Sequence, residues 1–183
     1  MSSMKTIMYC HGRGSTGRGS KATIIKTHFE GHRFVGNDYP TDDPVQTLSD
    51  KPMPCKLHEM KEFWRYVQIL TGDIKIHKPD VIVASSFGGA VLMRVILEGG
   101  WSGPTVFLAQ AGVKFNVTTD FPEGHRAIFI HGRQDDVVGF EGSAMLAESS
   151  AEATLVEVTD GHRLKAEQSK QAYLAAIAKL LQD

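Results

Sequence analysis

The 183-residue chain carries 20 Lys and Arg against 21 Asp and Glu, a net charge of −1, so it has no basic excess of the kind that draws nucleic acid. Its 42% hydrophobic and 22% charged content is that of a globular protein, and a chain this long buries enough surface to need neither disulfides nor a structural metal. Two cysteines, Cys10 and Cys55, make no disulfide framework, no apolar run reaches the roughly 20 residues of a membrane span, and the first residues lack a signal-peptide pattern. Together these predict a single cytoplasmic domain over residues 1–183, with neither nucleic acid nor membrane as partner.

Thr6–Cys10 is a short, continuous apolar run closed by Gly12 and reads as a buried strand. Lys21–Phe29 reads as a helix with Ile24, Ile25 and His28 on one stripe, and His32–Gly36 as a second strand. Pro40, Pro44, Pro52 and Pro54 make the segment 37–54 a loop. Apolar residues at Leu57, Met60, Phe63, Trp64, Val67 and Leu70 repeat with helical period and predict a helix over Leu57–Ile76, its aromatic rings in the core. Val81–Ala84 is apolar throughout, as a central parallel strand covered on both faces must be. Phe87–Leu97 follows as a helix and stops at Gly99 and Gly100. Thr105–Ala109, Ala127–Ile130 and Thr154–Val158 are strands, with helices at Gly142–Ser150 and Lys165–Leu181. This alternation predicts an α/β fold of about six mostly parallel strands with helices on both faces, a three-layer sandwich.

Ligands of such sheets sit at the carboxyl ends of the strands, so residues directly after strands carry the information. Four phrases stand there: His11-Gly12-Arg13-Gly14, Ser85-Ser86-Phe87-Gly88-Gly89, His131-Gly132-Arg133-Gln134-Asp135-Asp136, and Thr159-Asp160-Gly161-His162. In the second, a strand runs directly into a helix, a turn that lifts a hydroxyl clear of the sheet if the residues two before and two after it are small. Ser86 has Ala84 and Gly88 at those places; Ser85 would have Val83 and Phe87, which would clash. A serine hydroxyl also needs a base to take its proton and an acid to orient that base.

With these phrases in order, each behind a strand, the chain resembles a small α/β-hydrolase over nearly its full length. The resemblance implies Ser86 as nucleophile, Asp135 as orienting acid and His162 as base, since the family's order is Ser, Asp, His. Asp136 adjoins Asp135, and the family spacing His-Gly-x-x-Asp favours Asp135. It implies an oxyanion hole from the backbone N–H groups of Phe87 and Arg13, and cleavage of a carboxylic ester or thioester through an acyl-enzyme, with no metal or organic cofactor. Gly12, Gly14, Tyr39, Phe115, Phe121, Val138 and Phe140 are expected to line the substrate. The chain departs from the pattern in its Ala-x-Ser-x-Gly elbow and in starting at the family's third strand. The interval Ala111–Arg126 is too short for a lid domain.

Other readings compete. Gly12, Gly14 and Gly17 satisfy G-x-G-x-x-G, with Asp38 placed as a ribose-binding acid, which is the dinucleotide fingerprint; Arg18-Gly19-Ser20 prolongs the loop before a helix can start. His58-Glu59 begins an incomplete H-E-x-x-H zinc motif, with Glu62 where the second His belongs. His131 precedes the acid and reads as loop packing, and Cys10 as a small buried hydrophobe. Some proteins of this fold keep the triad yet act mainly by binding a protein partner, so such a partner stays open as an alternative.

Overall fold

In the computed structural model, which describes residues 3–39 and 61–182, the short apolar runs become six strands. These are β1 (Thr6–Cys10), β2 (Arg33–Asn37), β3 (Val81–Ser85), β4 (Thr105–Leu108), β5 (Ala127–Gly132) and β6 (Ala153–Val158). The longer periodic segments become α1 (Ser20–His28), α2 (Lys61–His77), α3 (Phe87–Leu97), α4 (Phe140–Glu148) and α5 (Glu167–Gln182). The proline-rich segment 40–54, Cys55 and the Leu57–Met60 start of the expected second helix lie outside the described residues. Boundaries differ from the sequence reading by a few residues. β4 ends at Leu108 because Ala109 takes a positive φ of 46°, and α4 starts at Phe140, immediately after Gly139.

All six strands pair in parallel in one sheet, in the order β2-β1-β3-β4-β5-β6. Successive side chains of a strand face opposite sides, and the sheet divides accordingly. Met8, Cys10, Ile82, Ala84, Phe107 and Phe129 pack on α2, α3 and α4; Ile7, Tyr9, Val83, Leu108 and Ile130 pack on α1 and α5. Each fully buried Leu, Ile or Phe removes enough apolar surface to contribute roughly 2–3 kcal/mol, so both faces are needed to hold the layers. Phe63, Tyr66 and Leu70 of α2 are wholly buried, as their helical spacing requires.

This order has one functional consequence. β1 lies between β2 and β3, and the connections leaving β1 and β3 run to opposite faces, through α1 and α3. The crevice between them, at the carboxyl ends of β1 and β3, is where such sheets bind ligands. Among the described residues, no helix is long and apolar enough to cross a membrane, and no cluster of His, Cys, Asp or Glu could hold a metal ion.

Candidate active site

Ser86 stands between β3 and α3 with φ 52° and ψ −115°, a conformation that costs a non-glycine residue about 1–3 kcal/mol and is tolerated only where the surroundings enforce it. Gly88 supplies part of that enforcement. A Cβ there would lie 2.6 Å from the carbonyl oxygens of both Cys10 and His11, so only glycine lets α3 start this close to β1. Ser85, one residue earlier, is buried within β3, and its hydroxyl engages Tyr9 rather than the crevice.

The turn delivers the Ser86 hydroxyl to an imidazole. Ser86 Oγ lies 2.9 Å from His162 Nε2, and His162 Nδ1 lies 2.8 Å from Asp135 Oδ2. A carboxylate only accepts, so the His162 proton sits on Nδ1 and leaves the Nε2 lone pair for the serine O–H. The Asp135 side chain is fully shielded, whereas that of His162 keeps 18% of its surface open, so solvent reaches the imidazole but not the carboxylate. Asp136, by contrast, is exposed and makes no comparable contact.

Asp135 is anchored at four points. Oδ1 accepts the N–H groups of Val137 (2.9 Å) and Val138 (2.8 Å), and Oδ2 accepts from both His162 and His131, the latter at 3.0 Å. Desolvation would raise this carboxyl, but hydrogen bonds from His131, His162 and the Val138 N–H outweigh it and hold the group well below the usual carboxylate range. His162 is placed by its own loop. Asp160 accepts from Gly161 N, Ala166 N and Ser169 Oγ, each at 2.7 Å, and fixes the chain on either side of His162. That loop is stitched to the Asp135 turn by Arg133 N to Val158 O (2.9 Å) and Gln134 N to Asp160 O (3.0 Å). Gly132 permits the approach, since any Cβ there would overlap the Asp160 carbonyl.

The loop after β1 completes the surroundings. A Cβ on Gly12 would sit 3.2 Å from Ser86 Cβ, which places that backbone beside the hydroxyl, and Ser15 N bonds back to Gly12 O to form a turn through Arg13 and Gly14. Gly14 is exposed with φ 68°, and a Cβ added there would meet no atom within 4 Å. His11 is buried; its Nδ1 donates to Gly12 O at 2.8 Å while Nε2 accepts from Tyr39 N, and burial lowers its proton affinity.

The expected lining residues are placed differently. Tyr39 is buried edge-on against Tyr66 and Phe87, beneath the site. Phe115 is also buried in the α2–α3–α4 layer, and Phe121 packs against Phe107 and Phe129. Phe140 is covered by the Arg133 guanidinium, and Val138 acts through its backbone, as donor to Asp135 and acceptor from His131. The partner of Asp135 that the sequence reading did not identify is His131, which lies in β5 rather than in a loop and touches the acid directly. The four-residue spacing from His131 to Asp135 gives their order along the chain but not this contact.

The dinucleotide fingerprint has a structural explanation. Asp38 Oδ1 accepts the Gly17 N–H at 2.9 Å and its Oδ2 faces Arg18 at 3.6 Å, so the acid is spent on the loop between β1 and α1. An open groove of about 710 Å³ runs along α1 and β2 past Gly17, Thr23, Phe34 and Asp38, and it does not reach Ser86. Cys10 is buried and unreactive by environment, its thiol pushed far up by desolvation.

The parallel sheet, the strained serine between β3 and α3, and the acid and histidine after β5 and β6 define the α/β-hydrolase fold, here without a lid among the described residues. No protein-family model matches the chain, and no curated protein matches it. Solved structures do. Alpha/beta hydrolase domain-containing protein 10 from mouse is 14% identical, with 100% of this chain and 91% of that one covered at a TM-score of 0.69. An esterase from Exiguobacterium antarcticum is 13% identical, covering 100% and 94% at a TM-score of 0.69. The 2-hydroxy-6-oxo-6-phenylhexa-2,4-dienoate hydrolase from Rhodococcus sp. strain RHA1 is 15% identical, covering 98% and 91% at a TM-score of 0.71.

Proposed function

We propose that this protein is a serine hydrolase that cleaves a carboxylic ester or thioester through an acyl-enzyme on Ser86. The observation that carries the reading is the unbroken line from Ser86 Oγ through His162 to the shielded Asp135 carboxylate, starting at a serine held in a strained strand-to-helix turn. His162 Nε2 takes the hydroxyl proton as Ser86 Oγ bonds to the carbonyl carbon, then returns that proton to the leaving oxygen or sulfur as the acyl bond to it breaks. A water, deprotonated by the same nitrogen, releases the acid and restores Ser86. Asp135 keeps the imidazole in the working tautomer and stabilises its charged form.

The oxyanion is held by the N–H of Phe87, which opens α3 and so has no partner inside the helix, and by that of Arg13 beside Gly12. Two such donors contribute about 3 kcal/mol each in measured acyl-transfer enzymes, and the α3 dipole adds to them. The substrate is a small molecule, and the esterase and hydrolase neighbours support the class without fixing the acyl group.

Labelling with a fluorophosphonate probe, followed by mapping of the modified peptide, tests this reading. Modification at Ser86 that disappears in Ser86→Ala and in His162→Ala is the expected result. An unlabelled, folded wild-type protein would sink it and leave partner binding as the role of the site.

A further inference from the structure

Asp135 is held by two imidazoles, and the chemistry above uses one of them. The other, His131, is wholly buried in β5. Its Nε2 faces Asp135 Oδ2 and Val138 O, each at 3.0 Å, and its Nδ1 faces Ser143 Oγ at 2.7 Å. Both neighbours of Nε2 are pure acceptors, so the proton sits on Nε2, and Nδ1 accepts from the Ser143 hydroxyl. Ser143 Oγ in turn accepts the Gln110 amide N–H at 3.0 Å, and Gln110 Oε1 accepts the Gly112 N–H at 2.6 Å. A one-way ladder of donors therefore runs from the turn after β4 to the carboxylate. A buried position in a parallel strand is ordinarily apolar, and nothing in packing alone requires three polar partners here.

We infer that His131 is a positioning residue for the Ser86 site: backed by Ser143 and Gln110, it pins Asp135 so that Oδ2 meets His162 Nδ1. The inference rests on the hydrolase reading and deepens it, extending three residues to six. Without His131, Oδ1 remains tied to Val137 and Val138, but Oδ2 loses the donor that stops it swinging away from His162. The loss falls on the chemical step and not on substrate binding, because His131 is sealed from the crevice.

The test compares His131→Leu with His131→Gln, whose amide nitrogen reaches the place of Nε2, on a short-chain p-nitrophenyl ester. The lost donor to a charged acceptor should lower kcat of His131→Leu roughly 10- to 100-fold with KM within about twofold, and His131→Gln should recover to within about threefold of wild type. The low-field proton signal of His162 Nδ1–H should shift or broaden in His131→Leu and persist in His131→Gln. Ser143→Ala, which removes the donor to Nδ1 with little change in volume, should fall between them. Equal kcat in the Leu and Gln variants, an unmoved Nδ1–H signal, or a kcat loss that merely follows the folded fraction would each overturn the inference. If wild type neither turns over ester nor labels at Ser86, the hydrolase reading fails, while the proton signal still decides whether His131 holds Asp135.

Discussion

The sheet carries a histidine–hydroxyl pair at each end, and the two are made of nearly the same parts. At the carboxyl end, His162 Nε2 meets Ser86 Oγ at 2.9 Å; at the amino end, His125 Nε2 meets Thr105 Oγ1 at 3.0 Å. What differs is the company. Thr105 Oγ1 also accepts from Trp101 Nε1 at 3.0 Å and has Gly103 O at 3.2 Å as a second acceptor for its proton, and the pair is sealed. Among the described residues no carboxylate stands behind His125, and burial pushes it down to about 4, so it stays neutral. Ser86 sits on a strained turn with its partner imidazole partly open to solvent and a shielded carboxylate behind that ring. A histidine next to a hydroxyl is therefore no sign of reactivity; the anchored acid and the turn are.

The largest test of this contrast is to remove each histidine. His162→Ala should lower turnover of an ester by roughly 10,000-fold or more while melting close to wild type. His125→Ala should do the opposite, with wild-type turnover and a loss of about 1–3 kcal/mol from the bond and the cavity, measured by urea unfolding. Comparable turnover losses in both would erase the distinction. Next comes the acid: Asp135→Asn should cost roughly 1,000- to 10,000-fold in kcat by disturbing the tautomer, and Asp136→Asn less than about threefold; the reverse ranking would reassign the acid.

A smaller effect concerns the turn. Gly88→Ala forces a methyl against two carbonyls and should destabilise by about 2–4 kcal/mol, which calorimetry would register as a lower Tm. An unchanged Tm would mean that α3 can back away from β1. The smallest is a pH effect at the amino end. Because His125 binds a proton near 6.5 when unfolded but only near 4 when folded, stability should fall as pH drops from about 6.5 towards 4. The urea midpoint should thus drop more between pH 7 and 5 in wild type than in His125→Asn, and parallel slopes would remove His125 as the cause.

Much of this was legible in the sequence, because steric demands leave marks that one chain displays. Small residues flanking Ser86 mark the turn, apolar runs such as Val81–Ala84 mark strands buried on both faces, and the phrases after strands mark one edge of the sheet. Residue types without such demands were less legible. Tyr39, Phe115 and Phe121 follow strands and so read as lining, yet burial of a ring outweighs position in the chain, and Phe121 lies against Phe107 and Phe129 instead. His131 read as packing because the spacing to Asp135 gives an order along the chain, not the fold-back that sets Nε2 against Oδ2. Ser143 and Gln110, 12 and 21 residues from His131 in opposite directions, leave no local pattern at all.

The four donors on Asp135 also restrict where a proton can travel. A carboxylate offers about four lone-pair sites, and Val137, Val138, His131 and His162 take them all. No vacant acceptor remains to be protonated without first breaking one of those bonds. On the proposed hydrolase reading, a proton leaving Ser86 therefore comes to rest on His162, and the aspartate would serve as a fixed negative pole whose occupancy never changes during a catalytic cycle.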